Sequence, residues 1–236
     1  MLMQLILCPI LFSFLYQITN IKALTFKYLL MRSKCDFCQK TISWLQLIPI
    51  FNFIMLRGKT LCCNRKLSNS YVIGELLSCG SLIILNLTVL PVKSAVLLLI
   101  YFSLLVLALY DIETYSIPIH IPIIGLITSF ILGSLYFLQG CFITLFLHLM
   151  FYWCKNCIGY GDILIFALLS FILPFTIFFL ILWLTFLTGG CFSIFYIVLK
   201  RSFKLRIPLV PFIFCAFNIV ALCYPFLNMG DDIIEY

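Results

Sequence analysis

Long apolar runs joined by very short polar connections leave this chain few folds to adopt. From about residue 72 to residue 226 it is interrupted only by brief turns, and each run approaches the ~20 residues that carry a helix across a bilayer. Backbone N–H and C=O groups in hydrocarbon must be satisfied within the segment itself, and helices do this. Of the 236 residues 64% are hydrophobic and 10% charged, with a mean hydropathy of +1.21. That excludes a soluble domain with an aqueous surface and places the chain among polytopic membrane proteins.

Dividing the runs gives eight expected spans, at about 1–19, 72–92, 94–110, 117–137, 138–156, 163–181, 183–199 and 207–226. The fold class is therefore an all-α transmembrane bundle. It divides into a first span (1–19), a polar cysteine-containing loop domain (20–71) and a membrane domain (72–236). The first run lacks a basic start and a small-residue cleavage site, so it reads as a retained span rather than a signal peptide. No internal repeat or low-complexity stretch is evident.

Charge placement orients the spans. Net charge is +7, and nine of the fifteen Lys and Arg lie between Lys22 and Lys66. A nucleic-acid surface would need that basic cluster interleaved with stacking aromatics. Retention of positively charged loops in the cytoplasm accounts for it more simply, and no nucleic-acid partner is expected. With the loop inside, alternation puts the 111–116 and 157–162 turns on the cytoplasmic side and the acidic tail Asp231–Glu235 outside. Of the basic residues, only Lys93 then falls outside.

Two acids stand out in this setting. Asp111 opens Asp111-Ile-Glu-Thr-Tyr-Ser-Ile-Pro118, and Asp162 closes Gly159-Tyr-Gly-Asp162. Ionisable groups at membrane depth are scarce and mark functional sites. Both emerge on one side of the membrane, at the ends of the third and sixth spans. Two carboxyl groups that share a proton activate water for hydrolysis: one takes a proton from water while the other polarises the carbonyl. Gly159 and Gly161 are expected to supply positive φ and room for a substrate backbone. Pro118 ends the first turn and sets the start of the next span. Taken singly, either aspartate could equally terminate a helix, Asp162 as an N-cap.

The Asp-x6-Ile/Pro and Gly-x-Gly-Asp patterns, with Ile207-Pro-Leu-Val-Pro211-Phe212 near the C-terminus, resemble the prepilin peptidase family of membrane aspartyl proteases. In the polar loop, Cys35-Asp-Phe-Cys38, Trp44, Leu47-Ile-Pro49, Arg57-Gly-Lys59, Cys62-Cys63, Lys66-Leu-Ser68, Tyr71 and Glu75 follow the order of that family's bifunctional members. The resemblance implies Asp111 and Asp162 as the catalytic pair, with Gly159, Gly161 and Pro118 supporting the loops. It implies cleavage of the leader from prepilin or competence pseudopilin precursors, whose apolar helix stays in the bilayer. It further implies N-methylation of the new amino terminus from S-adenosylmethionine, at the plasma membrane with the site facing the cytoplasm.

The chain departs from the family at two points. The second Cys-x-x-Cys pair has Thr60 in its first place, so a zinc site would draw on Cys35, Cys38, Cys62 and Cys63. Neighbouring cysteines are awkward for one ion, and free thiols remain the alternative. A reducing cytoplasm disfavours disulfides. Leu164 also stands where the family commonly has lysine. Glu113 reads as a solvated loop charge, His120 and His148 as satisfied polar groups on helices, and Cys154-Lys-Asn-Cys157 as an incidental spacing. Two other functions fit less of the chain: a presenilin or signal-peptide-peptidase-like protease, which should lack the cysteine loop, and a non-enzymatic membrane assembly component. Substrate identity and oligomeric state are not legible.

Overall fold

The computed structural model describes residues 2–19, 34, 35, 37–42, 55, 58–88, 90–133, 135–153, 159–200 and 207–228. Among these are nine helices: α1 (Leu2–Thr19), α2 (Asn69–Ser78), α3 (Gly80–Leu87), α4 (Ser94–Thr114), α5 (His120–Ile131), α6 (Phe137–Trp153), α7 (Tyr160–Ile172), α8 (Phe175–Lys200) and α9 (Val210–Asn228). There are no strands among the described residues beyond two isolated bridges. The α2–α3 rod (Asn69–Leu87), α4 and α8 are long and apolar enough to cross a membrane, and the remaining helices are shorter apolar ones. Trp44, the 47–49 segment, Arg57, Cys154–Cys157 and the acidic tail lie outside the described residues.

The chain forms two compact units, Met1–Leu82 and Ile83–Tyr236. In the first, α1 packs on α2. Gly74 makes this possible, because a Cβ there would overlap the Phe12 ring. Phe12 stacks on Tyr16, and Tyr16 meets Tyr71 edge-on. Glu75 is buried on α2 and accepts a 2.7 Å hydrogen bond from Ser13 Oγ on α1.

In the second unit α5 is the central wedge. It packs against both α4 and α7, while α4 also packs on α9, α6 on α7, and α8 on α9. At Gly125 a Cβ would lie 3.4 Å from Leu168 of α7 and 3.9 Å from Ser103 of α4, so the small residue lets α5 fill the space between them. Without a strong hydrophobic force between helices in lipid, close approach at small residues is the main source of such packing.

Two expected boundaries are corrected. The division between residues 181 and 183 falls instead at Leu173–Pro174, where Leu173 is extended (φ −103, ψ 146), as a residue before proline prefers. Gly189 and Gly190 lie inside an unbroken α8. The break leaves carbonyls to satisfy at apolar depth. Pro174 has no N–H for the Ser170 carbonyl, and Gln139 Nε2 donates to both Ser170 O and Leu173 O, each at 3.1 Å. The second correction concerns α4, which runs one turn past the apolar run and ends at Thr114, with Tyr115 left-handed (φ 52). Asp111 is thus a buried residue of the last helical turn rather than the first residue of a loop.

Replacing Gln139 with leucine strips two buried carbonyls of their donor, at about 1–3 kcal/mol for an unsatisfied group. A clear fall in Tm in detergent is expected for Gln139→Leu, and a Tm equal to that of the wild type would contradict this role for the amide.

Candidate functional site

Asp111 and Asp162 come within electrostatic reach of each other from different helices. Asp111 sits in the last turn of α4, and its Oδ2 accepts the backbone N–H of Val210 at 3.3 Å, from the first turn of α9. A helix N-terminus carries unpaired N–H groups and partial positive charge, so this end of α9 suits a carboxylate. The Leu209 N–H also faces Asp111. Pro211 follows inside the first turn, where a missing N–H costs nothing. The proline-rich Ile207–Pro211 stretch thus has a local purpose: it starts a helix on top of Asp111.

Asp162 lies in the first turn of α7, half-buried and within electrostatic reach of Asp111. Gly159, not Asp162, is the N-cap, and its N–H faces the Asp162 carboxylate. That is half of a capping box.

The glycines are needed for a reason other than the expected one. Gly159 has φ −67, and neither it nor Gly161 is left-handed. What both sites demand is absence of bulk. A Cβ on Gly159 would stand 2.9 Å from Asp162 Oδ2, and one on Gly161 would stand 2.6 Å from Ile117 Cδ1. Ile117 stands in the pattern only as the partner of Pro118 at the end of the turn, and its contact with Gly161 is what the pattern does not show. It belongs to the 115–119 connection from α4 to α5 and seats directly on the Asp162 turn. Pro118 follows it and accepts the N–H of Ile121 as α5 begins. Glu113 is exposed and Leu164 half-buried.

The second candidate site lies in the first unit. Cys35, Cys38, Cys62 and Cys63 bring their sulfurs within 4.8 Å of one another, so the adjacent pair does converge on one centre. The cause is a repeated turn. In the first turn Cys35 N–H donates to Lys40 O, Gln39 N–H to Cys35 O, and Lys34 bridges Thr41. In the second, Thr60 N–H donates to Arg65 O, Asn64 N–H to Thr60 O, and Lys59 bridges Lys66. Gln39 and Asn64 are both left-handed (φ 58 and 54), conformations that Asn tolerates better than most residues. Thr60 therefore occupies the place of Cys35, and Cys63 that of Cys38. The fourth sulfur comes from Cys62, one step before Cys63. Thr60 Oγ1 remains 3.1 Å from Cys63 Sγ. Hydrogen bonds among the thiols, Cys38 first, push Cys62 up to about 12. Four sulfurs at this spacing fit one tetrahedral soft ion.

Two family models match the chain: the bacterial peptidase A24 N-terminal domain over residues 6–89 and the type IV leader peptidase family over residues 97–194. Among curated proteins, the prepilin leader peptidase/N-methyltransferase of Bacillus subtilis (strain 168) is 28% identical over 87% of this chain and 84% of its own length. That of Legionella pneumophila is 26% identical over 88% of this chain and 75% of its own. The protein of the same name from Pectobacterium carotovorum is 30% identical over 58% of this chain, a match that spans 54% of the relative. No solved structure matches.

Titration of the metal-free protein with Cd2+ is expected to produce sulfur-to-metal charge-transfer absorption that saturates at one ion per chain. Cys62→Ser should weaken the band as clearly as Cys35→Ser does. A Cys62→Ser protein with the wild-type spectrum would remove Cys62 from the cluster.

Proposed function

Because the chain belongs to the type IV leader peptidase family, we propose that Asp111 and Asp162 are the catalytic pair by which it removes the leader of type IV prepilin or competence pseudopilin precursors. The observation that carries this reading is their convergence: two acids 51 positions apart in sequence, on helices that α5 holds together, come within electrostatic reach.

The chemistry follows from the pair. One carboxylate removes a proton from water as the oxygen attacks the scissile carbonyl carbon. The other, protonated, donates a hydrogen bond to the carbonyl oxygen as it becomes an oxyanion. Collapse of the tetrahedral intermediate breaks the C–N bond and delivers a proton to the departing amine. Apparent acidities then belong to the pair and not to either residue.

With eight spans and the basic loop in the cytoplasm, this reading has the site face the cytoplasm at the plasma membrane. A substrate whose own helix stays in the bilayer brings its scissile bond to the depth of the two turns. The partners of the reaction are thus the precursor helix and the lipid around it, with no nucleic acid. N-methylation of the new amino terminus, with S-adenosylmethionine as donor, is the second activity of this reading and takes its support from the names of the relatives. The cluster of Cys35, Cys38, Cys62 and Cys63 would hold a zinc ion, whose contribution is structural: it ties together two turns that no described sheet supports. The cysteine unit and the family both weigh against the presenilin-like alternative.

Co-expression with a membrane-anchored prepilin precursor tests the proposal. Asp111→Asn and Asp162→Asn should each lower the cleavage rate by at least about 10²–10⁴-fold, the contribution of a positioned acid or base. Cleavage is read as a size shift on a gel, and methylation by mass spectrometry of the product's amino terminus. Retained cleavage in either variant would contradict the paired mechanism.

A further inference from the structure

The Gly159-Tyr-Gly-Asp162 turn carries a single side chain before the acid, and that side chain is anchored to another helix. Tyr160 packs its ring edge-on to His148 (centroids 5.8 Å apart, 87° between planes) and against Phe151 (5.4 Å, 59°). His148 and Phe151 stand three residues apart on α6, one turn of the same face. His148 is itself fixed: its Nδ1 donates to Thr144 O at 2.8 Å, which assigns the proton to that nitrogen and holds the imidazole against its own helix.

The first turn of a helix is its least constrained part, since its N–H groups lack intrahelical partners. Here the N-cap is a glycine with no side-chain hydrogen bond to secure it. Gly161 contributes only the hollow into which Ile117 fits. The hollow limits how near the turn can come to the Asp111 connection. Tyr160 gives the turn a contact with α6.

We propose that Tyr160, packed against His148 and Phe151, is a positioning residue that sets the orientation of Asp162. The inference rests on the reading of Asp162 as a catalytic carboxyl and gives the Gly-Tyr-Gly-Asp segment a division of labour. The glycines admit close neighbours, and the tyrosine fixes direction. The phenol oxygen is not needed for this; the ring is.

The experiment uses the full chain, purified in detergent, with a membrane-anchored prepilin precursor as substrate and Tm as a folding control. Tyr160→Ala should lower kcat by about 100-fold, the scale of a small misplacement of a reacting group, with KM within about threefold of the wild type. Tyr160→Phe should restore kcat to within about threefold, because it keeps both ring contacts. His148→Ala should lower kcat in the wild-type background and add nothing to Tyr160→Ala, the signature of two residues acting as one unit. Should Tyr160→Ala not fold, His148→Ala and Phe151→Ala, with Tyr160 in place, decide by the same kcat and KM split. A wild-type kcat in Tyr160→Ala, a raised KM alone, or additive effects of His148 and Tyr160 would overturn the inference. A wild type that does not cleave, or an Asp162→Asn variant that does, would strike the underlying reading instead.

Discussion

The contact between Ile117 and Gly161 is the constraint on which the candidate active site depends. Asp111 and Asp162 belong to helices that both pack on α5, and the connection leading into α5 is also what reaches the Asp162 turn. With any side chain at residue 161, Ile117 would have to lift away and the two turns would separate. The acids are then held from behind by backbone N–H groups: Val210 at Asp111 and Gly159 at Asp162. Each carboxyl has a helix N-terminus at hand, its own in one case and a neighbour's in the other.

The cysteine unit solves a different problem with the same economy. Two short turns with matching hydrogen bonds and matching left-handed residues present sulfurs to one centre. The second turn has exchanged a sulfur for the Thr60 hydroxyl and regained one at Cys62. A vicinal pair is a poor chelate when its backbone is extended. Here the tight turn at residues 60–65 brings both thiols to the same side.

The helices were legible because the chain is built of long apolar runs, although among the described residues only the α2–α3 rod, α4 and α8 reach membrane-crossing length. The aspartates stood out because charge is rare in such runs. What the pattern did not reveal depended on contacts between distant segments. Polar residues after Asp111 looked like a loop, yet Asp, Ile, Glu and Thr all tolerate helix, and the left-handed Tyr115 ends it one turn later. A Gly-x-Gly pattern implies conformational freedom, whereas both glycines here serve by lacking bulk. The Leu173–Pro174 break was open to inspection, but its acceptance in apolar surroundings rests on Gln139, more than thirty residues away. The pairing of Thr60 with Cys35 is legible in the spacing; the matching backbone hydrogen bonds and the left-handed Gln39 and Asn64 are not.

The central claim is that residues 111 and 162 sit close enough for one proton to serve both. It is tested most directly in a chain whose other cysteines are replaced by serine and whose two aspartates are replaced by cysteine. Thiolates select a soft ion, so a single Cd2+ should bridge the pair and protect both from alkylation. The account predicts one bound ion per chain and the loss of that binding when either cysteine is absent. Two thiols that label independently at full rate in the presence of Cd2+ would contradict it.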